Sequence, residues 1–179
     1  VPIVVGINQA GAFMRICGVV NLPVIRFHFA ALSADLPGAP LHSFPGFTSS
    51  VFQLRPTSRG IVTLKSRHAQ ALPAICPNYL ATGHDRLTIV AGLKTARQIT
   101  AQPALNTHIS AEYSPGTSVQ TDDELLVFAR ETGVTIFHPV GTCLMGSDDR
   151  AVVDVRTKVR GVTGLRVVDC SVMPSLVSG

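Results

Sequence analysis

Charge is scarce in this sequence. Only 15% of its 179 residues are Asp, Glu, Lys or Arg, against about a quarter in an ordinary soluble domain. Much of the surface is therefore expected to be covered, by a core or by a further segment. Aromatic residues are also few, at 6%, and tryptophan is missing. The net charge is +4, but the basic residues are scattered rather than gathered in a run. A nucleic-acid surface needs a clustered basic stripe, often with stacking aromatics, so no nucleic-acid partner is expected. No apolar run reaches the roughly 18 residues of a membrane span. The stretch from Val1 to Val5 has no basic leader and no cleavage signal after it, so it does not read as a signal peptide. The four cysteines, Cys17, Cys76, Cys143 and Cys170, form no CxxC pair, and no two of the six histidines stand four apart. Structural metal is not expected, and free thiols in a reducing, cytoplasmic setting are. The GxGxxG nucleotide fingerprint is absent as well. The chain starts without Met and stops at Val177-Ser178-Gly179 with no polar tail. It is expected to be a stretch of a longer protein.

What is present alternates first. Val24 to Ala31 reads as a strand, with Val24, Arg26, His28 and Ala30 on one face and Ile25, Phe27 and Phe29 on the other. Val1 to Ile7 reads as another strand. Three prolines make Ser33 to Pro45 a loop. Gly46 to Arg55 and Ile61 to Lys65 then suggest a hairpin across the turn Arg55–Gly60. Pro73 and Pro77 hold Ala71 to Pro77 extended. A helix is predicted from about Asp85, which would cap it, with Leu87, Val90, Leu93, Ala96 and Ile99 facing a core and Pro103 beyond its end. Thr121-Asp122-Asp123-Glu124 spells a capping box for a second helix. Gly133 suits a left-handed residue after its last turn. Strand-like pieces follow at Val134–Phe137, Ala151–Val155, Thr157–Val159 and Leu165–Asp169. Strands, then helices, then short strands imply an α+β fold.

Two stretches carry chemistry. His138 precedes Pro139, which pushes it toward extended geometry and keeps it out of a helix. Gly141 allows a tight backbone behind it. A histidine so fixed is suited to proton transfer near neutral pH, but a lone histidine more often fills a hydrogen-bonded, partly buried role. Asp169, after the apolar run Leu165–Val168, suits either a polar ligand at a strand end or a cap on the next turn. His28 lies in an alternating strand, open to a pocket, core or surface placement. His42, His68, His84 and His108 fall in polar or turn-like segments and read as solvated.

Ordered motifs then add specificity. His138-Pro139-Val140-Gly141-Thr142-Cys143-Leu144-Met145-Gly146, Val152-Val153-Asp154 and the run from Gly164 to Gly179 resemble the C-terminal part of the glucose-methanol-choline (GMC) oxidoreductases. Gln53–Gly60 and Pro77–Leu80 resemble that family too, and the likeness runs from about Gly6 to the end. Its flavour is that of the choline-dehydrogenase-like alcohol dehydrogenases. The resemblance implies an FAD-dependent oxidation of an alcohol, with hydride passed to the flavin and the hydroxyl proton accepted by His138. It implies that Asp169 and Cys170 lie against the FAD. It implies an antiparallel-sheet substrate domain with flanking helices over residues 1–137. Residues 138–179 would return to an FAD-binding α/β domain that lies mostly outside this chain. The partners implied are a small alcohol and an electron acceptor such as oxygen, a quinone or another carrier. A second catalytic Asn or His is expected after Gly179. Leu144 stands where the family usually has Arg, and Cys170 where Ala or Gly is common. Two other readings remain. One is a non-catalytic module that keeps the fold. The other is a cysteine hydrolase using Cys143 beside His138, although catalytic pairs normally converge from distant segments.

Overall fold

The computed structural model describes residues 8–15 and 22–178. They divide into two compact units, each drawn from two stretches of chain. The first unit comprises Val1–Thr57 and Thr82–Gly133, the second Ser58–Ala81 and Val134–Gly179. No helix among the described residues is long and apolar enough to cross a membrane.

The first unit is built on a three-stranded antiparallel sheet, β1 (Asn8–Met14), β2 (Ile25–Ala30) and β3 (Thr48–Gln53), in that order. The alternation expected for β2 holds over its middle, where Ile25 and Phe27 are buried, with Phe27 at 0% exposure, and Arg26 and His28 are only partly so; at its ends Val24 and Ala30, expected on the opposite face, are buried too. They pack with Val24, and Ala12, Met14, Phe29, Val51, Ala96 and Ile99 close around them. The strand expected at Val1–Ile7 lies outside the described residues. The strand that is described begins at Asn8, in a segment whose small residues mask its period.

The long helix α1 (Gly83–Thr100) covers the sheet, α2 (Pro103–Asn106) follows it, and α3 (Asp122–Thr132) packs against α1. The cap of α1 is Thr82, whose hydroxyl accepts from the Asp85 amide. Asp85 is therefore not the cap expected of it. It is inside the first turn, 1% exposed, where its carboxylate accepts from the Thr57 amide at 2.8 Å and the Thr57 hydroxyl at 3.0 Å. Gln53 also donates to the Asp85 carbonyl. Leu87, expected in the core, is 72% exposed, and the buried positions are Asp85, Thr88, Val90 and Gly92.

Gly92 marks the closest approach of helix to sheet. A Cβ there would stand 2.5 Å from Val51 Cγ1 and 2.9 Å from Ile25 Cδ1. Both neighbours are β-branched and stiff. Gly92→Ala gains up to about 1 kcal/mol of helix propensity, yet overpacking costs about 1–3 kcal/mol. The substitution is expected to lower the melting temperature of the complete protein; an increase would show that the sheet yields freely.

The capping box of α3 forms as expected. The Glu124 amide donates to Thr121 Oγ1 at 3.3 Å, and the Glu124 carboxylate accepts from the Thr121 amide at 2.9 Å. Bonds from the amides of Thr121 and Gln120 hold the Glu124 carboxyl below its ordinary range. Being depressed in the fold, it contributes above that ordinary value, and the contribution is lost as pH falls through the lowered value. Gly133 is not left-handed, at φ −65° and ψ 131°. Glycine is still required there, because a Cβ would lie 2.4 Å from the Ala129 carbonyl.

In the second unit β4 (Ile61–Thr63) pairs with β5 (Ala74–Cys76), not with β3 as expected. The chain turns away at Thr57, which is bonded to Asp85, before any hairpin can close. The rest of the unit is held by isolated bridges, Met145 with Val153, Val153 with Val159 and Lys158 with Arg166. No strand forms at Val134–Phe137, and the pieces over 151–169 are too short for continuous ladders. Asp154 organises one of the turns between them by accepting from the amides of Arg156 and Lys158. Val153, fully buried, is the centre of this half. The α+β class holds for the chain as a whole, with antiparallel sheets and few helices.

Candidate active site

The second unit brings the two chemistry-bearing stretches of sequence together. The loop after His138 lies along the final segment, with the Cys143 amide donating to the Ser171 carbonyl at 3.0 Å and the Met145 amide to the Val172 carbonyl at 2.9 Å. Gly141 makes that approach possible. It has φ +85°, and a side chain there would face the Met173 carbonyl at 3.6 Å. From the other edge of the loop, Leu144 accepts through its carbonyl from the Val152 amide at 2.8 Å. The loop is thus tied on two sides.

His138 stands at the free entrance to this loop. It is exposed and takes part in no hydrogen bond among the described residues. Just before it Phe137 adopts φ +59°, rare for a bulky residue. Its amide donates to the Thr135 hydroxyl at 3.0 Å, and its ring is 81% exposed. This left-handed kink replaces the strand expected before His138.

The Asp169 end is a tight turn. A short 3-10 turn covers Cys170–Val172, and the Asp169 carboxylate caps it by accepting from the Ser171 amide at 2.7 Å. The capping role open to Asp169 from sequence is therefore the one its side chain fills. Ser171, through its hydroxyl and then its amide, holds the Asp169 carboxyl below the usual range. Of the two only the amide makes a hydrogen bond; Ser171 Oγ is buried without a partner among the described residues. The amide bond favours the ionised carboxylate. The carboxylate is thus occupied from within, while the outer edge of the turn, Val168, Asp169 and Cys170, is exposed. Cys170 and Cys143 are free thiols.

Three further residues escaped the sequence reading. Ser171 was hidden because an unpaired hydroxyl has no sequence signature. His42 is not solvated as expected: its ring bonds Ser33 Oγ at 2.9 Å and Asp35 at 3.1 Å, and stacks on Phe44 with centroids 4.7 Å apart. It ties down the proline-rich loop of the first unit. Arg26, paired with His28 along β2, lines a pocket of that unit. An Arg-x-His alternation in a strand was the available signal.

This arrangement of motifs has known counterparts. The sequence model of the GMC oxidoreductase family matches residues 56–179, and the chain belongs to that family. Among curated relatives it is 39% identical to the oxygen-dependent choline dehydrogenase of Proteus mirabilis, over 96% of this chain and 31% of that protein. It is likewise 39% identical to an alcohol dehydrogenase [acceptor] of Pseudomonas putida, over 97% of this chain and 31% of that one. The chain thus spans about a third of the length of the curated relatives it matches. Among solved structures, pyridoxine 4-oxidase from Mesorbium loti superposes with a TM-score of 0.84 at 30% identity, covering 97% of this chain and 34% of that one. A formate oxidase of Aspergillus oryzae, described with an FAD modification, gives 0.79 at 26% identity, covering 88% and 28%.

Proposed function

We propose that the protein containing this chain is an FAD-dependent oxidoreductase that oxidises a primary alcohol to an aldehyde, with His138 as the proton acceptor. Membership of the GMC oxidoreductases supports the reaction class. The carrying observation is the clamp between the His138 loop and the Asp169–Cys170 turn, made through Cys143, Met145, Ser171 and Val172. It ties the family's two C-terminal motifs into one piece, as a shared site requires.

The residues present suit a flavin. An exposed edge at Val168, Asp169 and Cys170 offers an apolar side chain, a small one and backbone polar groups together, while the Asp169 carboxylate stays engaged with its own turn. The hydroxyl of Ser171, the next residue, is buried without a partner among the described residues. When bound, FAD supplies the acceptor for the hydride of the alcohol carbon. The protein must then remove a proton. His138 takes the hydroxyl proton at its unprotonated ring nitrogen, leaving an imidazolium that returns the proton to water. Pro139 and the clamped Gly141–Met145 segment restrict the backbone from which the ring projects, so part of its positioning is prepaid. We assign residues 1–137 to substrate binding and 138–179 to the return toward the flavin domain. The alcohol and the final electron acceptor, oxygen or another carrier, are partners of the complete protein.

The test uses the complete polypeptide. It is expected to be yellow as isolated, and to bleach without oxygen when its alcohol is added. A preparation that stays colourless after reconstitution with FAD refutes the reading and favours a module that keeps the fold without the chemistry.

A further inference from the structure

The proline-rich loop of the first unit brings a hydroxyl, an imidazole and a carboxylate into line. The His42 amide donates to the Ser33 carbonyl at 2.9 Å, which closes the loop and sets the two residues side by side. Ser33 Oγ lies 2.9 Å from His42 Nδ1, and His42 Nε2 lies 3.1 Å from Asp35 Oδ1. The same Asp35 oxygen accepts from the Tyr113 hydroxyl at 3.3 Å. Phe44 and Tyr113 hold the His42 ring, each with its centroid 4.7 Å away. Only 13% of the His42 side chain is exposed. Gly46 keeps the flank of Ser33 open: a Cβ there would stand 3.0 Å from Ser33 Cβ and 3.5 Å from its Oγ.

This bonding selects a proton arrangement. An ionised carboxylate only accepts, so the hydrogen facing Asp35 belongs to His42 Nε2. In the neutral ring Nδ1 is then the acceptor, and the Ser33 hydroxyl donates to it. A nucleophile bonded to a base, and the base to an orienting group, is the arrangement that activates a hydroxyl. Serine proteases fill the same roles with the two ring nitrogens exchanged.

We propose that Ser33 is an activated nucleophile, with His42 as its base and Asp35 as a positioning residue, and that the three form an acyl-transfer site for small activated esters. Ser33 Oγ bonds to the ester carbonyl carbon as its proton passes to His42 Nδ1. The bond to the leaving oxygen then breaks, and His42 returns the proton to that oxygen. Water repeats the sequence on the acyl-serine and releases the carboxylic acid. The His42 amide is spent on the Ser33 carbonyl and is not free to hold an oxyanion. Each such donor lost costs roughly 10²–10³-fold in rate, which confines the site to esters whose leaving group is already good. The site lies within the first unit and needs neither His138 nor flavin.

A fluorophosphonate probe on the complete protein tests it, read by peptide mass spectrometry. Fluoride leaves phosphorus as Ser33 Oγ bonds to it, and the serine proton leaves through His42. The label should sit on Ser33 and not on Ser43, an exposed serine of the same loop. Prior 4-nitrophenyl acetate should protect Ser33 from the probe. His42→Gln should slow labelling about 10²-fold or more. Asp35→Asn should slow it about fivefold, the most an exposed charge pair supplies, and Asp35→Glu should restore part of that at an unchanged melting temperature. No label at Ser33, equal label on Ser33 and Ser43, or a folded His42→Gln labelled as fast as the wild type would overturn the proposal. The comparison of the two serines needs no variant to fold. It reads a covalent bond rather than alcohol turnover, so a colourless preparation leaves it valid.

Discussion

Turnover of the complete protein is expected to fall by about 10²–10⁴-fold in His138→Gln, the range a positioned general base supplies. Glutamine keeps a polar side chain of similar reach but cannot accept a proton. Its loss should therefore appear in the rate at which alcohol bleaches the flavin under anaerobic conditions, with FAD content unchanged. The structure predicts little collateral damage. His138 is exposed and bonded to none of the described residues, and the loop behind it is held by backbone bonds of Cys143 and Met145. A variant that bleaches as fast as the wild type would remove His138 from the reaction. A variant that loses FAD instead would recast it as a binding residue.

Phe27→Ala should have the largest effect on stability. Phe27 is fully buried in the core cluster with Val24 and Ile25, against which Val51, Ala96 and Ile99 pack. Removing a buried aromatic ring costs about 3–5 kcal/mol, the transfer of its atoms plus the cavity left behind. The neighbours cannot close that cavity easily, because Gly92 already brings the helix into contact with Ile25 and Val51. A drop of several degrees in melting temperature is expected, or failure to accumulate as folded protein. Phe29→Ala is the useful control, since its ring is only partly buried. Equal losses at the two positions would mean that the core is centred elsewhere.

Local signals in the chain were legible where the backbone alone decides. The alternation of Ile25 and Phe27, the capping box of Thr121 and Glu124, and the proline-rich loop are all in the structure. Partners distant in sequence were not legible. Asp85 looked like a cap, but its carboxylate is claimed by Thr57, 28 residues away. The bonds from Thr57 and Gln53 hold Asp85 buried in the first turn of α1, where Leu87 is exposed. Gly133 was read as left-handed, although its constraint is space beneath the Ala129 carbonyl. The short strands after Ala151 failed for a related reason: each contributes only a bridge, and a turn held by Asp154 interrupts them. At the candidate site, His138, Asp169 and Cys170 were marked by motif. The clamp that joins their segments is made of backbone amides and carbonyls, which every sequence possesses and none advertises.

The interleaving of the two units has a practical consequence for anyone wishing to take the protein apart. The polypeptide passes from one unit to the other after Thr57, returns after Ala81, and leaves again after Gly133. No single cut separates the two: a stop codon after Gly133 keeps all of the first unit but carries Ser58–Ala81 of the second with it, and no one cut releases the second unit whole. A ribosome releasing the chain must finish the helices of the first unit before the second can be completed, so the part bearing His138 is the last to mature.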